Sequence, residues 1–395
     1  MSHCTATKKA ASAFVRRNSI PTTGAVAKAL FNSAIGIDVH HDILVCAYQY
    51  CNRESDEITT EVCSFGTTAS ELAKFTDWCR NHHPEQILME STGVLWFSPY
   101  EALESVGFTN RQLSLINARD FKAIVGRKSD KQDAERLALY ARIGNVRSSF
   151  VPAKCFREMR AVSRLLSKTT DEQSRARSRY LKTLNFIGCR ASSVFSDVRG
   201  KAATAILEVL AEGTREQLID AIKIHGRRLR KSAAEILDAL DFAVSPAMAM
   251  QLRIQKQHME ALSQTCEELY ALLKVMQANY QPWINRLMTV PGIKERAARV
   301  IFAEVTNDLS SFPDAAHLAS WVGVCPGTME SAGKRYSGRA AKGNRYLRRI
   351  LVECSQAIGL MRKGALYSLF HAFKERKSTR RAVVDMAYHL VKIIH

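Results

Sequence analysis

Four acidic residues stand at positions where they could bind a divalent metal ion. Asp38 ends the apolar run Ala34–Ile37, and Glu90 follows another short apolar run. Asp130 and Asp133 are three residues apart, so they share one face if a helix begins there. Mg²⁺, or Mn²⁺ in its place, prefers oxygen ligands and can stabilise both the attacking and the leaving oxygen of a phosphodiester. The four acids therefore predict metal-dependent phosphodiester chemistry.

Each of these acids, taken alone, has an ordinary structural explanation. Asp130 could be a helix cap or a first-turn acid, and Asp38 could be a turn residue. His40 and His41 follow Asp38 closely, and we interpret both as solvent-facing turn residues rather than metal ligands. Only the ordered set of four acids favours a metal site.

A second group of reactive residues lies near the C-terminus. Ser331 precedes a small-residue turn and a stretch, up to residue 349, that contains no acid. Cations beside an exposed hydroxyl could neutralise the charge that develops when a serine attacks a phosphate. On the residues alone, a loop that only binds phosphate is favoured, and Ser337 is as plausible a nucleophile as Ser331. The residues expected to contact nucleic acid are Lys128, Lys334, Arg335, Arg339, Lys342, Arg345, Arg348 and Arg349.

The overall charge also predicts an anionic partner. The chain has 57 Lys and Arg against 38 Asp and Glu, a net charge of +19. Clustered cations gain free energy by releasing counterions from phosphate backbones, so nucleic acid is favoured over a membrane surface. No apolar run is long enough to span a membrane. The ten cysteines form no CxxC pair, which argues against a zinc ribbon and favours free thiols in a reducing cytoplasm.

Residues 34–150 have the pattern of an α/β domain. We predict strands at 33–38, 42–49, 60–65, 86–89 and 112–116, and helices at 69–82, 94–106 and 134–143. Three antiparallel strands followed by alternating helices and strands is the order expected of a ribonuclease-H-like fold. The pattern alone supports only an α/β domain.

The remaining chain divides into three further segments. Residues 1–33 are interpreted as a basic flexible arm. Residues 151–284 carry long helical periodicity, at Arg157–Leu184 and Ala247–Met276, which predicts an extended helical or coiled-coil insert. A compact helical bundle is the alternative, since periodicity does not separate the two. Residues 285–395 predict a mainly helical domain. It begins with a helix-hairpin-helix-like element at 290–305 and ends with two helices.

Seven short segments, in order, resemble one known family. The chain is similar to the bridge-RNA-guided DEDD transposases, or bridge recombinases, of bacterial insertion sequences, over residues of about 34–145 and 285–395. The matching segments are Ile35-Gly36-Ile37-Asp38, Met89-Glu90-Ser91-Thr92-Gly93, Lys128-Ser129-Asp130-Lys131-Gln132-Asp133-Ala134, Val290-Pro291-Gly292-Ile293, Met329-Glu330-Ser331-Ala332-Gly333-Lys334, Lys342-Gly343-Asn344 and Leu347-Arg348-Arg349.

This resemblance implies both a fold and a mechanism. It implies a RuvC-like N-terminal domain that holds Mg²⁺ or Mn²⁺ through the four acids. It also implies a C-terminal transposase domain whose serine, aligned with Ser331 and not Ser337, attacks DNA covalently. A composite site between subunits of a homo-oligomer, up to a tetramer, is expected. The expected partners are donor and target DNA and a structured guide RNA, with exchange through a Holliday junction.

Three features depart from the family pattern: a longer basic arm, a long helical segment at 151–285, and Lys294 where a glycine is usual. Two other functions therefore stay open. One is a Mg²⁺-dependent nuclease or Holliday-junction resolvase in which water attacks the phosphate. The other is a nucleic-acid-binding protein without catalysis, whose acids are structural.

Overall fold

The chain forms two compact units, Met1–Lys154 and Cys155–His395. The computed structural model describes residues 14–17, 29–52, 54–55, 57–90, 93–117, 129–144, 148–195, 200–212, 214–226, 229, 231–240, 244–325, 329–331, 334–337 and 343–395. For 14–17, 211–212, 329–331 and 334–337 it describes the backbone only. The finer division at residues 33, 150 and 284 stays a prediction.

The first unit is a mixed sheet with helices on both faces. The strand order is β1-β4-β3-β2-β5-β6, antiparallel from β1 to β2 and parallel from β2 to β6. The architecture is consistent with a ribonuclease-H-like fold, and β1, inside the predicted arm, was not expected. The elements are β1 Phe14–Arg17, β2 Ser33–Val39, β3 Ile43–Cys51, β4 Ile58–Gly66, α1 Ala69–His82, β5 Gln86–Glu90, α2 Phe97–Ser105, β6 Leu113–Ile116 and α3 Asp130–Ile143.

Strand β2 is the centre of the first unit, since all seven of its residues are buried. Ile35, Ile37 and Val39 point into a hydrophobic core that includes Phe75 of α1 and Tyr100 of α2. Because side chains alternate along a strand, the intervening residues of β2 point to the opposite face, which α3 covers. One strand thus contributes its odd-numbered residues to the core and its even-numbered residues to the contact with α3.

The closest contact between β2 and α3 is at Gly36. A Cβ atom at this position would lie well under 3.0 Å from the backbone atoms Ala134 O and Ala138 N, closer than real Cβ atoms approach. It would also lie 2.7 Å from the Cβ of Leu137. The absence of a side chain at Gly36 therefore sets the distance between strand and helix.

The second unit is almost entirely helical. Three helices, not the predicted two, follow residue 344. Gly364, with a φ of 123°, breaks the helical conformation, and a separate helix begins at Ala365. Its elements are α4 Lys154–Phe186, α5 Ala191–Val194, α6 Lys201–Glu212, α7 Arg215–His225, α8 Ala233–Leu240, α9 Pro246–Met276, α10 Gln281–Met288, α11 Glu295–Val305, α12 Ala315–Val322, β7 Met329–Ser331, β8 Lys334–Ser337, α13 Arg345–Gly359, α14 Ala365–Arg376 and α15 Thr379–Ile394.

The long helices α4 and α9 lie side by side and run in opposite directions. Gln255 Nε2 donates to Thr183 Oγ1 at 3.0 Å, and the Thr170 hydroxyl lies 3.9 Å from Cys266 Sγ. Near one end of the pair, α5 to α8 complete a small core that includes Leu184 of α4. The unit therefore contains both a pair of long helices and a compact bundle, and coiled-coil packing stays a prediction.

The turn predicted to belong to a helix-hairpin-helix element lies between α10 and α11. Gly292 has a φ of 90°, and a Cβ there would approach Ile358 Cγ1 of α13 to 2.6 Å. This glycine therefore permits close packing against α13, and phosphate binding by the turn stays a prediction.

Within the described ranges, no helix combines the length and the apolar character that crossing a membrane requires.

We expect Gly36→Ala to destabilise the first unit by about 1–3 kcal/mol or more, because a methyl group would overlap the backbone of α3. Urea denaturation measures the loss. Gly66→Ala is the control, since its methyl group would meet only the flexible side chain of Glu71, at 3.0 Å. Equal stability of the two variants would contradict the assigned contact.

Candidate functional site

Strand register brings the first two acids to the same level of the sheet. Strand β2 pairs in parallel with β5, with Ile37 opposite Met89, so Asp38 and Glu90 follow at the next position of each strand. Both carboxyl side chains are buried. The two acids are therefore neighbours on the face that α3 covers.

Helix α3 brings the third acid to this place. Two residues of a strand advance about 6.6 Å, and four residues of a helix about 6.0 Å, so the two periods nearly match. Gly36 contacts Ala134 and Ala138, and Asp38 therefore faces the preceding turn of the helix, where Asp130 lies. Ser129 caps the helix by accepting from Gln132 N at 3.4 Å, so Asp130 is a first-turn acid and not the cap.

His40 lies between two of these carboxylates. Its Nε2 atom is 3.1 Å from Asp38 Oδ2 and 3.7 Å from Asp130 Oδ2. His40 is thus a turn residue with a partly exposed side chain, as expected, but its ring also contacts two acids, which the sequence did not suggest. The exposed His41 side chain contacts Asp42, at 2.6 Å. One potential ligand atom from each of Asp38, His40 and Asp130 lies within 4.8 Å of the others.

The cluster has unfavourable electrostatics without a cation. Burial raises the pKa of Asp38 above its ordinary value, and the nearby charges of Glu90 and Asp130 raise it further. His40 acts in the opposite direction, through its charge and its hydrogen bond, but does not cancel the rise. A bound cation would relieve this repulsion, because it would favour the ionised form of each carboxyl group.

The donor set fits a divalent ion. An octahedral ion with ligands at about 2.1 Å holds adjacent ligand atoms about 3.0 Å apart and opposite ones about 4.2 Å apart. The distances from His40 Nε2 to the carboxylates, 3.1 and 3.7 Å, fall in this range. Asp133 is on the next part of the same helical face, and its Oδ1 accepts from Arg136 at 3.4 Å. The described atoms therefore bring Asp38, His40 and Asp130 together, with Glu90 beside them.

Ser331, in the second unit, lies on a two-stranded hairpin. Strands β7 and β8 pair antiparallel, with Ser331 opposite Lys334 and Glu330 opposite Arg335. The side chains of these residues lie outside what the structure describes, as do Lys128, Arg339 and Lys342 altogether.

The two ends of the segment that contains this hairpin meet at one point. Asn344 N donates to Trp321 O at 2.9 Å. A Cβ at Gly343 would lie well under 3.0 Å from the backbone of Val322 and Gly323. Residues 324 to 343 therefore leave and return at the end of α12.

A buried polar network that the sequence did not suggest holds this point. Glu304 is fully buried and accepts from Arg164 Nε and Nη2, both at 2.8 Å, and from Asn344 Nδ2 at 2.7 Å. Arg160 donates to the backbone oxygens of Ala303 and Glu304, and burial lowers its pKa to about 10 while the Glu304 charge opposes this. Nothing in the local sequence distinguishes Glu304 from an ordinary helical acid.

The three predicted nucleic-acid cations on α13 differ in their surroundings. Arg345 is exposed and stacks on Tyr346, with its guanidinium carbon 4.9 Å from the ring centre. Arg348 is half-buried. Arg349 is already paired with Asp171 at 2.6 Å and Glu353 at 3.0 Å, so binding a phosphate would compete with two carboxylates.

Two family models match separate parts of the chain, one in each half. A model of DEDD transposases of the IS110 type matches residues 35–188, and a model of the transposase IS116/IS110/IS902 family matches residues 284–370. The chain is also 30% identical over 172 residues to an insertion element IS110 uncharacterized 43.6 kDa protein of Streptomyces coelicolor. That alignment covers 38% of this chain and 40% of the relative, so the chain spans about two fifths of the length of the curated relative it matches.

We expect Asp38→Asn to raise the melting temperature of the metal-free protein at pH 7. Because the pKa of Asp38 is raised, its contribution to stability is present at low pH and is lost as pH rises through that pKa. The advantage of the variant should therefore shrink as pH falls toward the ordinary value of 3.8. Thermal denaturation in EDTA tests this, with Asp42→Asn as an exposed control that should behave like the parent. A lower melting temperature for Asp38→Asn at pH 7 would contradict it.

We expect Glu304→Gln to destabilise the second unit by up to about 3–5 kcal/mol, because it leaves the buried guanidinium of Arg160 without its counter-charge. The guanidinium of Arg164 is 37% exposed and adds less, since water screens it. The matched control is Glu353→Gln, which breaks only the half-exposed contact with Arg349 and should cost less than about 1 kcal/mol. Chemical denaturation distinguishes the two variants, and similar losses would mean that the buried network is not a structural anchor.

Proposed function

Because the chain belongs to the IS116/IS110/IS902 family of transposases, we propose that it cuts and rejoins DNA strands as the transposase of an insertion sequence. The observation that carries this proposal is the convergence of Asp38, His40 and Asp130, with Glu90 beside them, in a unit that matches DEDD transposases. Acids that served only to stabilise a helix start would not need to gather around a buried carboxylate.

The proposed metal site uses Asp38, Glu90, Asp130 and Asp133. When bound, Mg²⁺ or Mn²⁺ would polarise a phosphodiester and stabilise charge on its oxygens. Asp38 and Glu90 are held rigidly by the sheet, whereas Asp130 and Asp133 lie at a helix start whose dipole favours their ionised forms. The chain therefore offers two fixed carboxylates and two others near the surface.

The proposed nucleophile is Ser331. Its Oγ forms a bond to phosphorus as the bond to the 3′ oxygen breaks, which leaves a 5′-phosphoserine and a 3′ hydroxyl. The serine loses a proton and the leaving oxygen gains one. Attack by the 3′ hydroxyl of another strand reverses the step and frees the serine. One ester replaces another throughout, so no external energy source is needed.

The proposed partners are donor and target DNA, together with a structured guide RNA. The net charge of +19 supports binding of polyanions, and Lys334 and Arg335 follow the serine directly along the chain. We further propose that two to four copies assemble, with acids of one subunit and the serine of another forming each site. These finer features depend on the family resemblance.

A nuclease that uses water is the second candidate, since the acid cluster lies wholly within one unit that is consistent with a ribonuclease-H-like fold. It differs from the first in needing no covalent intermediate, so the serine separates the two.

We expect Ser331→Ala to abolish the covalent protein–DNA adduct and strand exchange, because no other group would form the 5′-phosphoserine. Denaturing gels with labelled DNA from the ends of the element, followed by mass spectrometry of the adduct peptide, measure both. Ser337→Ala is the matched control on the neighbouring strand and should keep the adduct. Mg²⁺-dependent cleavage that survives Ser331→Ala would instead favour the nuclease.

A further inference from the structure

We propose that His40 is itself a ligand of the metal ion, so that the site offers an imidazole nitrogen beside carboxylates and prefers Mn²⁺ to Mg²⁺. This inference rests on the proposed function, since it assumes an ion bound among the acids. It assigns a fifth ligating residue, beyond the four acids that the resemblance implies.

The hairpin between β2 and β3 holds His40 in place. His40 N donates to Ile43 O at 3.0 Å, and Thr67 Oγ1 donates to the carbonyl of His41 at 2.9 Å. The preceding residue, Val39, is buried in the core. The backbone that carries the imidazole is therefore fixed on both sides, and ligand geometry would not have to be created when an ion binds.

Two carboxylates converge on the same ring nitrogen, and this distinguishes His40 from His82 of the same unit. Its Nε2 faces both Asp38 and Asp130, at 3.1 and 3.7 Å. His82, by contrast, uses Nδ1 on Trp78 O at 2.9 Å and Nε2 on Glu61 at 3.2 Å, which is the arrangement of a structural histidine. A histidine that only oriented Asp38 would need no second acid, whereas one that shares an ion with both acids requires this convergence.

Access and chemistry agree with a ligand role. The imidazole is 41% exposed and Asp38 only 11%, so an ion could reach the buried carboxylate past the ring. Both ions prefer oxygen ligands, but Mg²⁺ loses its waters reluctantly, whereas Mn²⁺, a first-row transition-metal ion, accepts an imidazole nitrogen among oxygen ligands more readily. A nitrogen at this position therefore shifts the preference of the site toward Mn²⁺.

The test uses the full-length, metal-free protein and MnCl₂ alone, without DNA. Electron paramagnetic resonance of free Mn²⁺ gives the dissociation constant, and pulsed measurements detect a ring nitrogen bound to the ion. We expect the parent to show ring-nitrogen coupling. His40→Ala should lose that coupling and bind Mn²⁺ at least about tenfold more weakly. It should also show a smaller ratio of Mn²⁺ to Mg²⁺ affinity in competition.

His41→Ala is the matched control, because it removes the adjacent exposed imidazole and should change neither the coupling nor the affinity. His40→Gln offers an amide oxygen in place of the ring, so it should bind Mn²⁺ more tightly than His40→Ala and still lack the nitrogen signal.

Two results would overturn the inference in different ways. If His40→Ala keeps the coupling and the affinity while Asp38→Asn loses Mn²⁺ binding, the ion sits among the acids and His40 is not a ligand. If Asp38→Asn also leaves Mn²⁺ binding unchanged, the acid cluster is not the metal site, and the metal chemistry of the proposed function fails with it.

Discussion

The contact between strand β2 and helix α3 at Gly36 determines the geometry of the acid cluster. The two elements meet backbone to backbone at Ala134 and Ala138, closer than any side chain would permit. Two residues of a strand advance nearly as far as four residues of a helix. Because Gly36 contacts Ala134, Asp38 lies beside the first turn of the helix. Asp130 lies beyond the contact and would be displaced by any tilt of α3. Gly36, which has no reactive side chain, therefore determines where Asp38 and Asp130 meet.

The energy that holds these like charges together comes from the other face of the same strand. Ile35, Ile37 and Val39 are fully or almost fully buried among apolar side chains, whereas ionised Asp38 opposes folding. A shift of one residue in the pairing would exchange the two faces and would bury Asp38 in the core. Hydrophobic burial thus fixes the register, and the register fixes the position of the acid.

Sequence patterns were most informative where structure is local. The ends of α1 agree with the prediction, because apolar periodicity and adjacent turn residues define a helix without reference to distant parts of the chain. The acids could be nominated because each stood at the end of an apolar run or the start of a helix. His40 could not be distinguished from His41, since only the direction of the hairpin separates them. The pairing of β1 and the contacts of Glu304 depend on residues far away in sequence, which periodicity does not report.

In the second unit, too, contacts outside a charged segment determine where that segment lies. Residues 326–342 contain four cations and one acid. Like charges repel one another, so these cations contribute little favourable electrostatic energy without an anion. The ends of this segment are held instead by interactions that need no ligand: the close backbone approach at Gly343 and the buried contacts of Glu304 with Arg164 and Asn344. In each unit a glycine permits a tight backbone contact, at Gly36 in the first and at Gly343 in the second. Both contacts form without a ligand, so the metal ion and the phosphate of the proposed function would bind to a scaffold that is already folded.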